Sequence, residues 1–492
     1  MSAVQSVDSV ALLPAYLAAG TAVLVLIIDL VLARPRATVA VAALGALGTA
    51  VGAAVVGAGG ERRTFCVGAD CSWVFGGRAA LVAAVVALLT LAVLGLSVPA
   101  LRAGRSPVGE YAFLLACSMT GGVVLGAAGD LITLIVALET LTLPLYVLVG
   151  LRRGSLASAE AAVTFFVVSV VATTITLLGA ALLYAVTGSL HLDRLGALLA
   201  ERSELRDLPL TTAAVALLLL GLAFKVAAVP FHAWAPATYD GAPLPVAAYL
   251  STASKLGGLV ALLAVVQRAL PADQTGPVLA LLAVLTMTVG NLVALRQRRT
   301  VRLLAWSSVA QAGYILAPLG ALALAAGRTG EARSAAYAAA VAYAVFFVVL
   351  ELAAFAGVTA LRPVGADGGT LDDLRGAARR HPWRGAALGL ALVGLAGLPP
   401  GLAGLFAKVT VVRSLLDGGA AWLALVVALN AVIGLAYYLR VTAALWAPTA
   451  TSGAAAPAVP LGGVVAAVLA VATVAAVVLG FAPQLVLDLA AR

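Results

Sequence analysis

Fourteen apolar runs, most about 20 residues long, divide this 492-residue chain and leave it one way to fold. They lie at 11–33, 39–59, 79–100, 109–127, 130–150, 159–187, 209–229, 247–270, 277–295, 302–325, 335–361, 384–413, 419–446 and 461–483. The core of a bilayer takes about 20 apolar residues per helix. Backbone groups inside it must be satisfied within the spanning structure, as a helix does. The chain is 63% hydrophobic and only 10% charged, which excludes an ordinary soluble domain. We therefore expect an all-α polytopic membrane protein with about 14 transmembrane helices. The first run reads as a span and not a leader, since no small-residue cleavage site follows it.

Loops between runs carry the expected breaks, such as Arg34-Pro35-Arg36 and Arg152-Arg153. Four arginines fall between 296 and 302. Loops after odd-numbered runs hold most of the arginine, including Arg102, Arg105, Arg362, Arg375, Arg379, Arg380 and Arg384. The opposite side holds less, and its 188–208 loop offsets three arginines with Asp193, Glu201, Glu204 and Asp207. By the positive-inside rule both termini lie outside. The pI near 9.8 does not point to nucleic acid, because the arginines form no basic stripe.

The three cysteines constrain little. Cys117 sits within a run and reads as a packing residue. Cys66 and Cys71 share a loop and form either a disulfide or two free thiols. Three cysteines are too few for an iron–sulfur cluster with the usual four ligands.

Lysine usage is the chemical signal. The chain has three lysines, Lys225, Lys255 and Lys408, and all lie inside apolar runs; its 27 arginines sit mostly in loops. A charge at bilayer depth costs about 2.5–3.5 kcal/mol on insertion scales, and such residues commonly mark ion or proton pathways. Burial disfavours an ammonium and a nearby carboxylate favours it. A buried lysine whose partner moves can thus take up and release a proton, whereas arginine stays charged. Two carboxylates share the apolar layer, Glu139 and Glu351. Tyr146 follows Glu139 by seven residues and lies on the same helix face. His232, Ser307 and Gln311 add polarity. The plainer alternatives are a structural Glu139–Lys225 pair, a Lys408 that snorkels toward Arg413, and a Glu351 that only neutralises a lysine. Asp29, Asp130 and Arg440 lie near span ends and read as interfacial.

A short echo suggests internal symmetry. Gly221-Leu222-Ala223-Phe224-Lys225-Val226 is repeated as Gly404-Leu405-Phe406-Ala407-Lys408-Val409. The copies fall on spans 7 and 12, which cross in opposite senses. Pro230 follows the first lysine and Pro399-Pro400 precedes the second, so both spans are expected to be broken. We expect two inverted five-helix repeats, 109–270 and 277–446, between an N-terminal part (1–108) and a last helix (447–492).

The stretches Phe224-Lys225, Val229-Pro230-Phe231-His232-Ala233-Trp234-Ala235-Pro236, Tyr239-Asp240-Gly241-Ala242-Pro243 and Leu250-Ser251-Thr252-Ala253-Ser254-Lys255 strongly resemble the antiporter-like subunits of respiratory complex I. Leu304 to Tyr314, Gly397-Leu398-Pro399-Pro400 and Tyr437-Tyr438-Leu439-Arg440 support the likeness, which covers about 109–446. The Tyr-x-Gly-Ala-Pro form and the length are most similar to the N-type branch of bacterial NADH–quinone oxidoreductase subunits.

The resemblance implies that Glu139 and Lys225 form a proton-loading pair, that Lys255 is a central relay and that Lys408 is the exit residue. His232 and Glu351 are further candidates. It also implies a proton-translocating subunit, part of an enzyme complex, that binds no cofactor or metal itself. NADH, FMN, iron–sulfur clusters and quinone would belong to partner subunits. The partners would be neighbouring antiporter-like and small membrane subunits within the lipid bilayer of a bacterial inner membrane.

This chain departs from the family pattern in four places: Thr164 replaces a usual lysine, Gln311 a frequent histidine, Ala237 a common aspartate, and Glu351 a neutral polar residue. The alternative functions are a subunit of a multisubunit cation/proton antiporter and a structural membrane subunit without transport. The chain shows no phosphate-binding loop and no dinucleotide fingerprint.

Overall fold

A computed structural model describes residues 7–152, 154–448 and 462–491. Arg153 and the start of the last apolar run lie outside the described residues. The chain opens with helices α1 (Leu13–Leu32) and α2 (Pro35–Ala58). A hairpin follows, β1 (Arg62–Val67) and β2 (Asp70–Phe75), and then helices α3 (Gly77–Arg102), α4 (Val108–Gly126), α5 (Leu131–Gly150) and α6 (Leu156–Thr187). Two short helices, α7 (Leu192–Glu201) and α8 (Ser203–Arg206), lead to α9 (Pro209–Lys225). Next come α10 (Trp234–Gly241), α11 (Leu244–Tyr249), a π-helical turn at Leu250–Ser254, α12 (Lys255–Arg268), α13 (Ala272–Ala294) and α14 (Thr300–Gly320). The chain ends with α15 (Gly330–Leu361), α16 (Ala377–Arg380), α17 (Pro382–Ala396), α18 (Leu402–Asp417), α19 (Ala421–Trp446), α20 (Gly463–Phe481) and α21 (Gln484–Ala491).

Eleven helices among the described residues are long and apolar enough to cross a bilayer, counting the continuous Leu244–Arg268 segment (α11, the π turn and α12) as one, while α9 and α17 are shorter apolar helices. The protein is an all-α polytopic membrane protein. Both proline-marked spans are broken, as expected, and the first break falls ahead of its proline. The seventh run stops being helical at Lys225, four residues early, because Ala227 takes a left-handed φ of 57° and Pro230 follows. The run 384–413 is two helices, α17 and α18, separated at 397–401 around Pro399-Pro400. The Val229-Pro230 and Pro399-Pro400 bonds are both cis. The β1–β2 hairpin had no counterpart in the sequence reading.

Two compact units make up the chain. The first comprises Met1–Leu94, Gly104–Val226 and Ala253–Thr275. Its N-terminal core joins α1 to α4 and the hairpin around Trp73, Phe75, Met119 and Val123. The strands pair antiparallel, and a disulfide links the facing residues Cys66 and Cys71. The hairpin docks by backbone bonds from Val74 to Ala127 and from Gly129 to Ser72, and the Trp73 indole donates to the Ala11 carbonyl (3.0 Å). Gly121 brings α4 onto α5, since a Cβ there would fall 2.2 Å from the Leu141 nitrogen. Asp130 caps α5 by accepting from the Thr133 amide (2.7 Å). Asp29 accepts from the Thr38 hydroxyl at 2.9 Å. The Arg268 guanidinium holds both oxygens of Asp193 (2.8 and 2.7 Å), and Arg206 pairs with Asp273.

The second unit comprises Gly95–Ala103, Ala227–Thr252 and Gly276–Arg492. Within it α14 is buried along nearly its whole length, and α15 packs against α17, α18 and α20. Arg299 bridges Asp240 (2.6 Å) and Asp367 (2.9 Å), tying the end of α10 to the loop after α15. Arg440 donates to the Leu295 and Gln297 carbonyls at 2.7 and 2.8 Å, so its charge is held at the end of α13.

Candidate functional site

In the first unit, small residues let three helices approach closely enough for polar side chains to meet. Gly179 and Gly221 line the α6–α9 contact, where a Cβ at Gly221 would lie 2.1 Å from the Thr176 hydroxyl. This brings Lys225, the last residue of α9, against Glu139 on α5 and Ser169 on α6. The Lys225 Nζ donates to Glu139 Oε1 (2.7 Å), Ser169 Oγ (3.1 Å) and Thr142 Oγ1 (3.2 Å). Three ammonium protons thus meet three acceptors. The carboxylate also accepts from the Thr173 hydroxyl at 2.6 Å. Tyr146 donates to Ser169 Oγ at 2.5 Å, which extends the chain of bonds along α5. The Lys225 side chain is 5% exposed and that of Glu139 21%, so the pair is largely out of solvent.

Lys255 opens α12 directly after the π turn, a feature frequent at functional sites, and is 3% exposed. Gly258, one turn on, touches the end of α9: a Cβ there would be 2.8 Å from the Lys225 carbonyl carbon. The backbone of Lys225 and the first turn of α12 are therefore in contact.

In the second unit, Lys408 sits nearly two turns into α18, past the break. Its Nζ donates to the carbonyls of Ala396 (2.5 Å) and Leu395 (3.3 Å), the last residues of α17, and lies 5.5 Å from the Tyr314 ring centroid. Gly404 permits this seat, since a Cβ would be 1.8 Å from the Gly394 carbonyl oxygen. The side chain turns toward α17, while Arg413 lies near Asp417 (3.9 Å).

Gln311 is fully engaged: it accepts from the Tyr343 hydroxyl (2.5 Å) and donates to Tyr438 (3.0 Å) and to the Leu395 carbonyl (3.3 Å). Glu351 is wholly buried on α15, next to Leu350, which packs against Gly394 and Gly404 at the break. Ser307 donates to the Leu304 carbonyl (2.7 Å). The His232 ring lies 3.3 Å from the Pro230 carbonyl and 5.1 Å from the Trp306 ring. Thr164 is half-buried on α6.

Several participants escaped the sequence reading. Ser169, Thr142 and Thr173 surround the pair, and their signal was hydroxyls recurring at helical spacing on α5 and α6. A second cluster joins α13, α14 and α19. Asn291 donates to Tyr314 (3.1 Å) and Asn430 (3.1 Å) and accepts from Tyr437 (3.0 Å). Asparagine inside apolar runs was its signal.

An antiporter-like membrane subunit is what these helices, breaks and buried lysines define. A sequence profile of the NADH:quinone oxidoreductase/Mrp antiporter transmembrane family matches residues 128–434, and the chain belongs to that family. It is 80% identical to the NADH-quinone oxidoreductase subunit N of Salinispora tropica, over 100% of both chains. Its structure matches a chain of respiratory complex I from Thermus thermophilus with a TM-score of 0.81 and 31% identity, covering 97% of this chain and 99% of that one. A chain of the Mrp complex from Dietzia shares the fold at the same TM-score, 22% identity and 97% and 96% coverage. The resemblance read from the sequence is borne out.

Proposed function

We propose that this chain translocates protons as a membrane subunit of an NADH–quinone oxidoreductase. Redox chemistry in partner subunits, which would carry NADH, FMN, iron–sulfur clusters and quinone, drives it. The observation that carries the reading is the Lys225–Glu139 pair: a titratable ammonium at the end of a broken helix, held by one carboxylate and two hydroxyls within apolar helices.

In this reading Glu139 and Lys225 load the proton, Lys255 relays it within the first unit, and Lys408 releases it from the second. His232 and Glu351 assist. Drawing Glu139 away from Lys225 removes the main partner of the charged form and frees its proton. Moving one charge against 100 mV takes about 2.3 kcal/mol. A change of that size corresponds to less than two pH units of proton affinity for one group, by the factor of about 1.4 kcal/mol per unit.

Partners are the neighbouring antiporter-like and small membrane subunits. Both termini face outward, as the arginine distribution indicates. The matching lysine segments on α9 and α18, each beside a break, support inverted repeats at 109–270 and 277–446.

Lys225→Met in the assembled complex, reconstituted into vesicles, tests the proposal. We expect NADH-driven proton uptake to fall while assembly and NADH oxidation by the partner subunits persist. Unchanged uptake with intact assembly overturns it. Uptake driven by a sodium gradient without NADH points instead to antiport.

A further inference from the structure

At the N-terminal end of α15 and the C-terminal end of α18 the second unit forms an open, surface-facing cavity of about 580 Å³, within the usual range for small-ligand sites. Nothing in the proposed proton path uses it. On α18 its walls come from Thr410, Arg413, Ser414 and Asp417. These positions point away from Lys408, which faces α17.

The donor and acceptor inventory of this cavity is lopsided. Thr329, Thr410 and Ser414 each spend their hydroxyl proton on a carbonyl of their own segment: Ala326 (3.0 Å), Phe406 (2.8 Å) and Val411 (2.9 Å). They face the cavity as acceptors only. Glu331 and Asp417 add two carboxylates, also acceptors. Glu331 takes part in no ion pair among the described residues. Among the described lining residues the one cationic side chain is Arg413, which is exposed and pairs loosely with the exposed Asp417, its Nε 3.9 Å from the carboxylate and beyond hydrogen-bonding distance. A complementary ligand therefore carries one anionic group for Arg413 and one cationic group rich in N–H donors for the carboxylates and hydroxyls. A primary ammonium has three such donors; a quaternary one has none.

The remaining wall fits a chain attached to that headgroup. Ala332, Ala335 and Ala339 form a row of small side chains along α15, running from the cavity toward the apolar middle of the helix, and Leu487 of α21 closes one side. Exposed apolar side chains, Val409 and Leu416 on α18 and Leu485 on α21, mark the surroundings as lipid-facing.

We propose that this cavity binds a phospholipid with a zwitterionic, primary-amine headgroup, of the phosphatidylethanolamine class. Arg413 holds the phosphate, Glu331 and Asp417 hold the ammonium, and one acyl chain lies on the alanine row. The inference rests on the chain lying in a bilayer and not on proton pumping.

Native mass spectrometry of the assembled, detergent-purified complex tests it after exchange into dioleoyl phosphatidylethanolamine, phosphatidylcholine or phosphatidylglycerol. We expect the ethanolamine lipid to be retained about tenfold better than the other two, the equilibrium factor of about 1.4 kcal/mol. Glu331→Gln with Asp417→Asn abolishes the preference, and Arg413→Gln lowers retention of all three lipids. A photoreactive group at Ala335 keeps the test open if a variant fails to assemble; we expect it to label lipid. Equal retention of the three lipids, an unchanged preference in the double variant, or labelling of a neighbouring subunit in place of lipid overturns the proposal. So does displacement of the lipid by water-soluble phosphoethanolamine.

Discussion

The Lys225 ammonium lies 2.7 Å from a Glu139 carboxylate oxygen, whereas Lys408 rests on the carbonyls of Leu395 and Ala396. Two lysines in similar sequence segments are thus held by different means, one by a carboxylate and one by uncharged main-chain dipoles. The first partner can change its charge and the second cannot.

Breaking the first pair from one side strands a charge in an apolar site. We expect Glu139→Gln or Lys225→Met alone to destabilise the protein by about 3–5 kcal/mol, and the double variant by clearly less than their sum. Thermal unfolding of the purified complex measures this cycle. Strictly additive losses would mean that the two side chains do not interact.

Gln311 accepts the Tyr343 hydroxyl proton, while Tyr438 also has Ser307 and Tyr437 beside its hydroxyl. Gln311→Leu removes the acceptor of Tyr343, at a cost of about 1–3 kcal/mol for the stranded group. Gln311→His retains one donor and one acceptor, so a milder loss is expected in the same unfolding measurement. Equal losses for the two variants argue against this account.

The Cys66–Cys71 disulfide provides a test of orientation. It closes a loop of about six residues, so removing it by Cys66→Ser and Cys71→Ser should cost the hairpin about 2 kcal/mol in the chain-entropy description. In intact cells, an impermeant reductant followed by an impermeant maleimide should label both thiols. Labelling that requires permeabilised membranes would place the hairpin, and the N-terminus beside it, inside.

Asp193 gives a dependence on pH. The two-point contact with Arg268 holds its carboxyl below the usual carboxylate range. A depressed folded-state value contributes stability that is present above the ordinary value of about 3.9 and lost as pH falls through the folded one. The pair is largely exposed on the Asp193 side, so the contribution is about 1 kcal/mol at most. Asp193→Asn should therefore lower the unfolding midpoint slightly near neutral pH, and the gap to the unaltered protein should close in acid. A gap that persists in acid would assign the loss to something other than the charge.

Much of this fold was legible because lipid imposes one rule on every segment. Runs of apolar residues bounded by Arg, Pro and Gly specify helices whatever their neighbours are, so α1 to α6 and α13 to α15 lie where the runs fall. The hairpin was not legible: Arg62–Val67 and Asp70–Phe75 are short, and their pairing depends on docking with Ala127 and Gly129. At the site, Lys225 and Glu139 stood out because a charge in an apolar run is conspicuous. Ser169 and Thr173 did not, because hydroxyls in helices commonly bond their own backbone, as Thr174 does, and only tertiary packing separates the two uses. The seat of Lys408 was invisible for another reason. Its partners are main-chain oxygens, which every residue possesses, and their direction is set by where α17 stops.

That last arrangement has an evolutionary consequence. Carbonyl oxygens belong to no particular codon, so no single nucleotide change deletes the acceptors beneath Lys408. Drift can reshape this cradle only by altering where one coil ends and the next begins, and the glycines and prolines at 394–404 are the positions through which it must act.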